Sequence, residues 1–144
     1  MPNRFQRPRN SVSCVEQIPV GTRVWYVYGI WPPQVGEAVE VASEPFDGVA
    51  GSQFIAVKYL RKDGRYETTY DGNEMIGQHS LMDANIGVDN HYNDNYFFLS
   101  REQAVSCVKW FQLLYALNPP LVAQEQDRAK DYWNDFDDSY YDND

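Results

Sequence analysis

The chain has little of the chemistry on which small enzymes and metal proteins depend. It contains only two cysteines and two histidines. Cys14 and Cys107 are far apart and fit no metal or redox spacing, which favours a reduced, cytoplasmic setting. No phosphate-binding glycine loop, HExxH helix or nucleophile motif occurs, and His79 and His91 lie in no catalytic pattern. We therefore expect a protein that is not an enzyme and that binds no cofactor.

Long apolar runs are also missing. The first ten residues, MPNRFQRPRN, lack the apolar centre of a signal peptide, and no stretch approaches the length of a membrane span. We expect a soluble protein without a membrane partner, located in the cytoplasm, or in the host cytoplasm if the chain is viral. The sequence does not indicate an oligomeric state.

Positive charge is scarce and unevenly placed. Twelve lysines and arginines face 21 acidic residues, which gives a net charge of −9. Residues 1–13 hold Arg4, Arg7 and Arg9 without an acid, and we expect a flexible basic arm there. An acidic body argues against direct binding to a nucleic acid duplex, which needs a basic footprint, and fits a protein partner with a basic surface.

The polar region 71–95 contains a loose match to a calcium-binding loop. The matching residues are Asp83, Asn85, Gly87, Asp89 and Asp94. The pattern requires glycine at the sixth position, where this chain has Val88, and a bidentate glutamate at the twelfth, where it has Asp94. The sequence therefore predicts a long loop of Asx turns without a metal, with a short strand near residues 74–76.

The stretch 53–72, QFIAVKYLRKDGRYETTYDG, predicts a β-hairpin. Two β-rich runs flank an Asp-Gly pair, which favours a two-residue type I′ turn at Asp63 and Gly64. That turn places Tyr59 opposite Thr68, with the second strand ending at Tyr70.

Several other segments have strand character. Residues 22–28 are apolar on both alternating faces, which is typical of a central strand. We expect further strands at 15–20, 35–42 and 96–99.

Helical signals follow these strands. Ser100 and Gln103 form a capping box that starts a helix over 101–117. Its apolar stripe consists of Ala104, Val108, Phe111 and Tyr115, with Cys107 and Leu114 beside it. Prolines end this helix and favour a second one within 118–133. We expect 134–144 to be a disordered acidic tail.

Three motifs carry a family resemblance: Gly21-Thr22-Arg23-Val24, the run 36–41, and Val57-Lys58-Tyr59 leading to Asp63-Gly64. Together they resemble Tudor- and KOW-type barrels over about residues 18–76. The resemblance implies a mainly β (α+β) fold: a small bent antiparallel β-barrel of the Src-homology/Tudor type, followed by one or two helices and the acidic tail. Residues 14–117 would form that body. The segment 98–104 is similar to the strand-to-helix ending of many small bacterial and phage proteins.

Aromatic residues supply a first candidate site at the barrel face. Its members are Trp25, Tyr28, Trp31, Tyr59 and Tyr66. Rings grouped at a barrel mouth bind a cationic side chain, and Tudor-like domains use such cages. Ordinary cross-strand packing of the same rings is the alternative.

The acidic tail supplies a second candidate site. Seven aspartates within 127–144 alternate with aromatic rings, and the residues predicted to bind are Tyr132, Trp133, Asp135, Phe136, Asp137, Asp138, Tyr140, Tyr141 and Asp142. Carboxylates between flat rings imitate the phosphates and bases of a single strand. We expect an inhibitor, encoded by a phage, that engages the basic surface of a nucleic-acid-handling host protein. The alternative is a nucleic-acid accessory module that binds through the barrel aromatics and the N-terminal arginines.

Overall fold

The structure, a computed structural model, describes residues 7–30, 32–48, 51–88 and 93–118. The predicted second helix, the acidic tail, Trp31 and His91 lie outside these ranges. The strands are β1 (Arg23–Tyr28), β2 (Gln34–Val41), β3 (Phe46–Asp47), β4 (Gln53–Leu60), β5 (Ile76–Ser80) and β6 (Asn95–Phe98), and helix α1 spans Arg101–Leu117.

β1 is a central strand, as its two apolar faces predicted. It pairs antiparallel with β2 on one side and with β6 on the other. β2 then pairs with the second half of β4. β3 pairs with the start of β4 on the same edge as β2, and β5 pairs with the opposite edge of β4. Between Trp25 and Val27 the register with β2 shifts by one residue, which is a β-bulge. The result is an open antiparallel sheet of six strands with one C-terminal helix, which confirms the mainly β (α+β) class.

Both faces of the sheet are covered by other parts of the fold. The inner face carries Val24, Tyr26, Val39, Val41, Ile55, Val57 and Phe97. His79 of β5 contacts the rings of Tyr26 on β1 and Phe97 on β6, with ring centroids 5.1 and 5.3 Å apart, although β4 and β2 lie between β5 and β1 in the sheet. This contact requires a strongly curved sheet. The described strands do not close into a barrel, so the Tudor/KOW assignment is not confirmed.

Helix α1 covers the other face, which we call the helix face. Ser100 Oγ accepts a hydrogen bond from the Gln103 amide at 3.1 Å, so the serine half of the predicted capping box is present, whereas Gln103 Oε1 has no hydrogen-bond partner among the described residues. The residues buried against β1 and β6 are Ala104, Cys107, Phe111, Leu114 and Tyr115. Val108 is half-buried beside them. The predicted helix is confirmed at both ends.

Residues 7–18 pack against the body. Val12 and Ile18 are buried in the inner cluster, and the Val12 amide donates to the Phe97 carbonyl at 2.9 Å. The predicted strand at 15–20 is wrong, because Val15–Gln17 forms a 3₁₀ turn. Gln17 Oε1 accepts a hydrogen bond from the amide of Ser13 at 2.7 Å. This local side-chain contact takes the place of the pairing with another strand that the Ser13 amide would need in a sheet.

The central hairpin has a different turn from the one predicted. Gly64 has φ +84°, while Asp63 does not have positive φ, so a type I′ turn is excluded. The Gly64 amide donates to the Arg61 carbonyl, and the Arg61 amide donates to the Arg65 carbonyl. The loop therefore contains three residues, with Gly64 in the left-handed position. This extra residue places Leu60 opposite Tyr66.

The pairing beyond the turn also differs from the prediction. The Glu67 amide donates to the Tyr59 carbonyl, so Glu67 occupies the place predicted for Thr68. The predicted second strand, 66–70, makes only isolated bridges and ends in a fully exposed Tyr70. β5 takes the free edge of β4 instead. It begins at Ile76, within the short strand predicted near residues 74–76, and continues into the region predicted as a loop. Its sequence, IGQHS, has one large apolar residue, Ile76, so beyond that residue the sequence gave no strand signal.

Candidate binding groove

A groove of about 600 Å³ opens on the helix face where β2 and β4 extend beyond α1. We call it the basic groove. Its lining residues are Arg23, Trp25, Val35, Gly36, Glu37, Ala38, Leu60, Arg61, Lys62, Gly64 and Arg101. The floor combines the half-buried Trp25, Val35, Ala38 and Leu60, and the rim carries four cationic side chains.

Four separate parts of the fold bring these side chains together. Arg23 and Trp25 alternate with inward-facing residues on β1, so both project to the helix face. Ala38 lies opposite Trp25 and Leu60 opposite Ala38, which continues the apolar floor across three strands. The three-residue turn presents Arg61 and Lys62, and the Ser100 cap sets Arg101 as the first residue of α1.

Positive charge is concentrated in this groove. Seven lysines and arginines occur between residues 14 and 118, and four of them line it. Arg23 pairs with Glu40 at 3.3 Å and Arg61 with Glu67 at 3.3 Å. The side chains of Lys62 and Arg101 are exposed and make no ion pair or hydrogen bond within the described ranges. The groove thus joins an indole to two uncompensated cations in an acidic protein.

The predicted aromatic residues are divided between the two faces. Trp25 lies on the helix face in the basic groove. Tyr28 and Tyr59 pack on the inner cluster, and the Tyr28 hydroxyl donates to Glu37 at 2.9 Å. Tyr66 lies on the helix face, opposite Leu60. The four described rings therefore do not share one cavity.

Tyr66 already contacts cations of its own chain. Lys58 Nζ lies 5.0 Å from its ring centroid and Arg23 Cζ lies 6.0 Å from it. Its hydroxyl donates to Glu40 at 2.9 Å, and Lys58 also pairs with Glu74 at 2.9 Å. Interaction with Glu74 raises the pKa of Lys58 above its ordinary value. Exposed pairs of this kind contribute little stability, but they fix the position of Tyr66 beside the groove.

His79, predicted as a loop residue without a role, lies on β5 and faces inward. Its side chain is 13% exposed, and Nε2 lies 3.3 Å from Glu37 Oε1, an ion-pair distance without the direction of a good hydrogen bond. Burial acts to raise the pKa of Glu37, but its interactions with His79, with its own backbone and with Tyr28 outweigh burial and leave the pKa lowered. This pair connects β2 with β5 across the inner face.

The residues that resemble a calcium loop serve the fold. Asn85 is buried with φ +55°, and its Nδ2 donates to the carbonyls of Asn93 and Asn95 at 2.9 and 2.8 Å. Asp94 is also buried, and Asp89 lies outside the described ranges. Within those ranges, no cluster of three or more histidine, cysteine or acidic side chains could hold a metal ion.

Among the N-terminal arginines, Arg7 is used internally. Its guanidinium donates to the Asn85 carbonyl at 2.6 Å and to the Val12 carbonyl at 3.2 Å, and it lies 5.9 Å from the Tyr96 ring centroid. Arg7 therefore attaches the N-terminal segment to the body. Arg9 is exposed beside a second cavity along α1, which Trp110 also lines.

Comparison with known proteins assigns a family to the chain. None of the described helices is long and apolar enough to cross a membrane. No curated protein and no solved structure matches the sequence. The family model described as Phage g100-like protein matches residues 12–109, which include the whole sheet and the first half of α1. The chain therefore belongs to the Phage g100-like protein family.

Proposed function

We propose that this phage-type protein is a non-enzymatic inhibitor that acts in the host cytoplasm on a nucleic-acid-handling protein. In this proposal the sheet and α1 form the scaffold. The segment 127–144, which we call the acidic segment, binds a basic surface of the host protein. The observation that carries the proposal is the composition of this segment, with seven aspartates interleaved among aromatic rings. A segment in which carboxylates alternate with aromatic rings can bind in a groove that otherwise binds phosphates and bases.

Charge and rings make separable contributions under this proposal. Changing Asp135, Asp137 and Asp138 to asparagine should weaken partner binding and flatten its salt dependence, because screened charge contacts are lost. Changing Trp133, Phe136 and Tyr140 to alanine should weaken binding but preserve most of the salt dependence, because rings contribute stacking and desolvation.

The test starts with capture from a bacterial host lysate by the full chain and by both triple variants. The captured protein is then purified, and its affinity for each variant is measured at low and high salt. A solubilising segment predicts equal affinity for all three chains. Unchanged affinity after deletion of residues 127–144 would reject the proposal.

The basic groove favours a second candidate function, a nucleic-acid accessory module that binds a single strand. An indole beside cationic side chains is a typical platform for stacked bases and their phosphates. Labelled single-stranded DNA titrated against the full chain and against Trp25→Ala tests this function. Retention by the full chain, with loss in the variant, supports it, and no retention at low salt rejects it.

A further inference from the structure

We infer that the basic groove is a docking site for the acidic segment 127–144 of the same chain. The groove supplies the described half of this interaction: the indole of Trp25, the apolar surface of Leu60, and the exposed cations Lys62 and Arg101, which make no ion pair with any described residue. The acidic segment supplies carboxylates and rings in alternation. This inference goes beyond the proposed function, because it concerns a site on the protein itself and requires no host partner.

Charge complementarity is the first argument. The protein has a net charge of −9, yet four of the seven cations between residues 14 and 118 line this groove. The acidic segment has a net charge of −5, from seven aspartates against Arg128 and Lys130. Opposite charges held on one chain attract without the loss of freedom that joining two molecules requires.

Chain length is the second argument. Helix α1 starts at the groove with Arg101 and ends at Leu117, which places its end about 25 Å away at about 1.5 Å per residue. The ten residues from 118 to 127 can span about 33 Å at about 3.3 Å per residue. The acidic segment can therefore return along the helix to the groove.

Because the groove and the acidic segment belong to one chain, a weak contact between them is sufficient for docking. A short connection gives an effective concentration on the order of millimolar. A groove with only modest affinity for an acidic aromatic peptide would then be largely occupied by its own chain. A basic surface on a partner would have to compete for the segment, which makes the groove a built-in regulator of its availability.

Paramagnetic relaxation in the full-length protein tests this inference. A spin label is placed at residue 139 through Ser139→Cys, with Cys14 changed to serine. Cys107 remains unlabelled, because it is 4% exposed and burial raises the pKa of its thiol to about 12. Docking predicts selective loss of the amide signals of Lys62, Gly64 and Arg101 at about 0.05 M salt, and their recovery at about 1 M salt.

Two charge-reversal variants provide the control. The pair Lys62→Glu and Arg101→Glu removes the two exposed groove cations, and glutamate at the first turn of a helix is well tolerated. The pair Arg65→Glu and Lys109→Glu changes the net charge by the same amount at exposed positions that do not line the groove. We expect the relaxation effect to disappear in the first pair and to persist in the second.

Three results would overturn the inference. The first is full signal intensity in the groove at low salt. The second is an equal decrease of the relaxation effect in both charge-reversal variants, which would indicate non-specific attraction. The third is signal loss that arises only when a labelled copy is mixed with an unlabelled one, which would identify a second copy as the occupant. None of these results depends on a host protein, so failure here leaves the proposed inhibitor function to its own test.

Discussion

Gly29 allows α1 to approach the sheet, and Gly29→Ala should be strongly destabilising. This residue follows β1 and is buried. Its amide donates to the Asp94 carbonyl at 2.9 Å. A Cβ atom at position 29 would lie 2.6 Å from Phe111 Cζ and 2.7 Å from Asp94 Cβ, and closer still to the Asp94 carbonyl oxygen.

The surroundings of Gly29 leave little room for relaxation. The Asp94 carbonyl cannot retreat without breaking the hydrogen bond from the Gly29 amide. Phe111 is fully buried and packs against Trp110 and the helix-face cluster. Overpacking of a rigid core costs about 1–3 kcal/mol, and a clash with backbone places this variant at the upper end of that range. The midpoint of thermal unfolding should fall by roughly 6–12 °C for a chain of this size.

Urea denaturation of four variants, namely Gly29→Ala, Gly72→Ala, Phe111→Leu and the combination of Gly29→Ala with Phe111→Leu, separates crowding from other effects of a methyl group. Gly72→Ala is the matched control, because Gly72 has φ +83° and open space around it, so alanine there costs only about 1 kcal/mol of backbone strain. Combining Gly29→Ala with Phe111→Leu should cost less than the sum of the single changes by about 0.5 kcal/mol or more. Equal stability of the Gly29→Ala variant and the wild-type protein would refute this reasoning, as would strict additivity.

Three further changes test other parts of the fold. Gly64→Val should cost more than about 1 kcal/mol in a thermal melt, because a β-branched residue is strained at φ +84°, and an unchanged midpoint would contradict the assigned turn. Ser100→Ala should cost roughly 0.5–2 kcal/mol in chemical denaturation, through loss of the cap on α1. Glu37→Gln concerns acid stability. Since folding lowers the pKa of Glu37, its carboxylate stabilises the fold above the unfolded-state pKa of about 4.3, and this contribution is lost as the pH falls through the folded-state pKa. The difference in unfolding free energy between wild type and Glu37→Gln should therefore shrink from about pH 5 downward. A constant difference would show that protonation of Glu37 does not contribute to acid unfolding.

The elements with strong periodic patterns could be predicted from sequence. α1 has a complete apolar stripe and a serine cap, and β1 is apolar on both faces because the inner cluster packs on one face and α1 on the other. The hairpin register could not be predicted, because an Asp-Gly pair suits both a two-residue loop and the left-handed third position of a longer loop. β5 was predicted only at its start, near Ile76, because its inward residue is His79, which is half-buried through contacts with Glu37 and with aromatic rings that no local pattern indicates.

The basic groove was not predictable as a unit. Its cations come from β1, from the hairpin turn and from the start of α1, and nothing in their spacing indicates proximity. The alternation of Arg23 with Trp25 was the one local signal, since residues two apart on a strand share a face. The four described residues of the predicted aromatic cage are divided between the two faces for a related reason: Trp25 and Tyr28, three apart on one strand, project to opposite faces.

The most direct test of the proposed function is displacement of nucleic acid from the host partner. Once the partner is purified, labelled single-stranded DNA is bound to it, and the full chain or the asparagine variant at Asp135, Asp137 and Asp138 is added. If the acidic segment binds the nucleic-acid site of the partner, the full chain releases the DNA at low salt, higher salt weakens this release, and the variant releases much less. Binding of the full chain without release of the DNA, or equal release by the variant, would show that the acidic segment does not act as a nucleic-acid mimic.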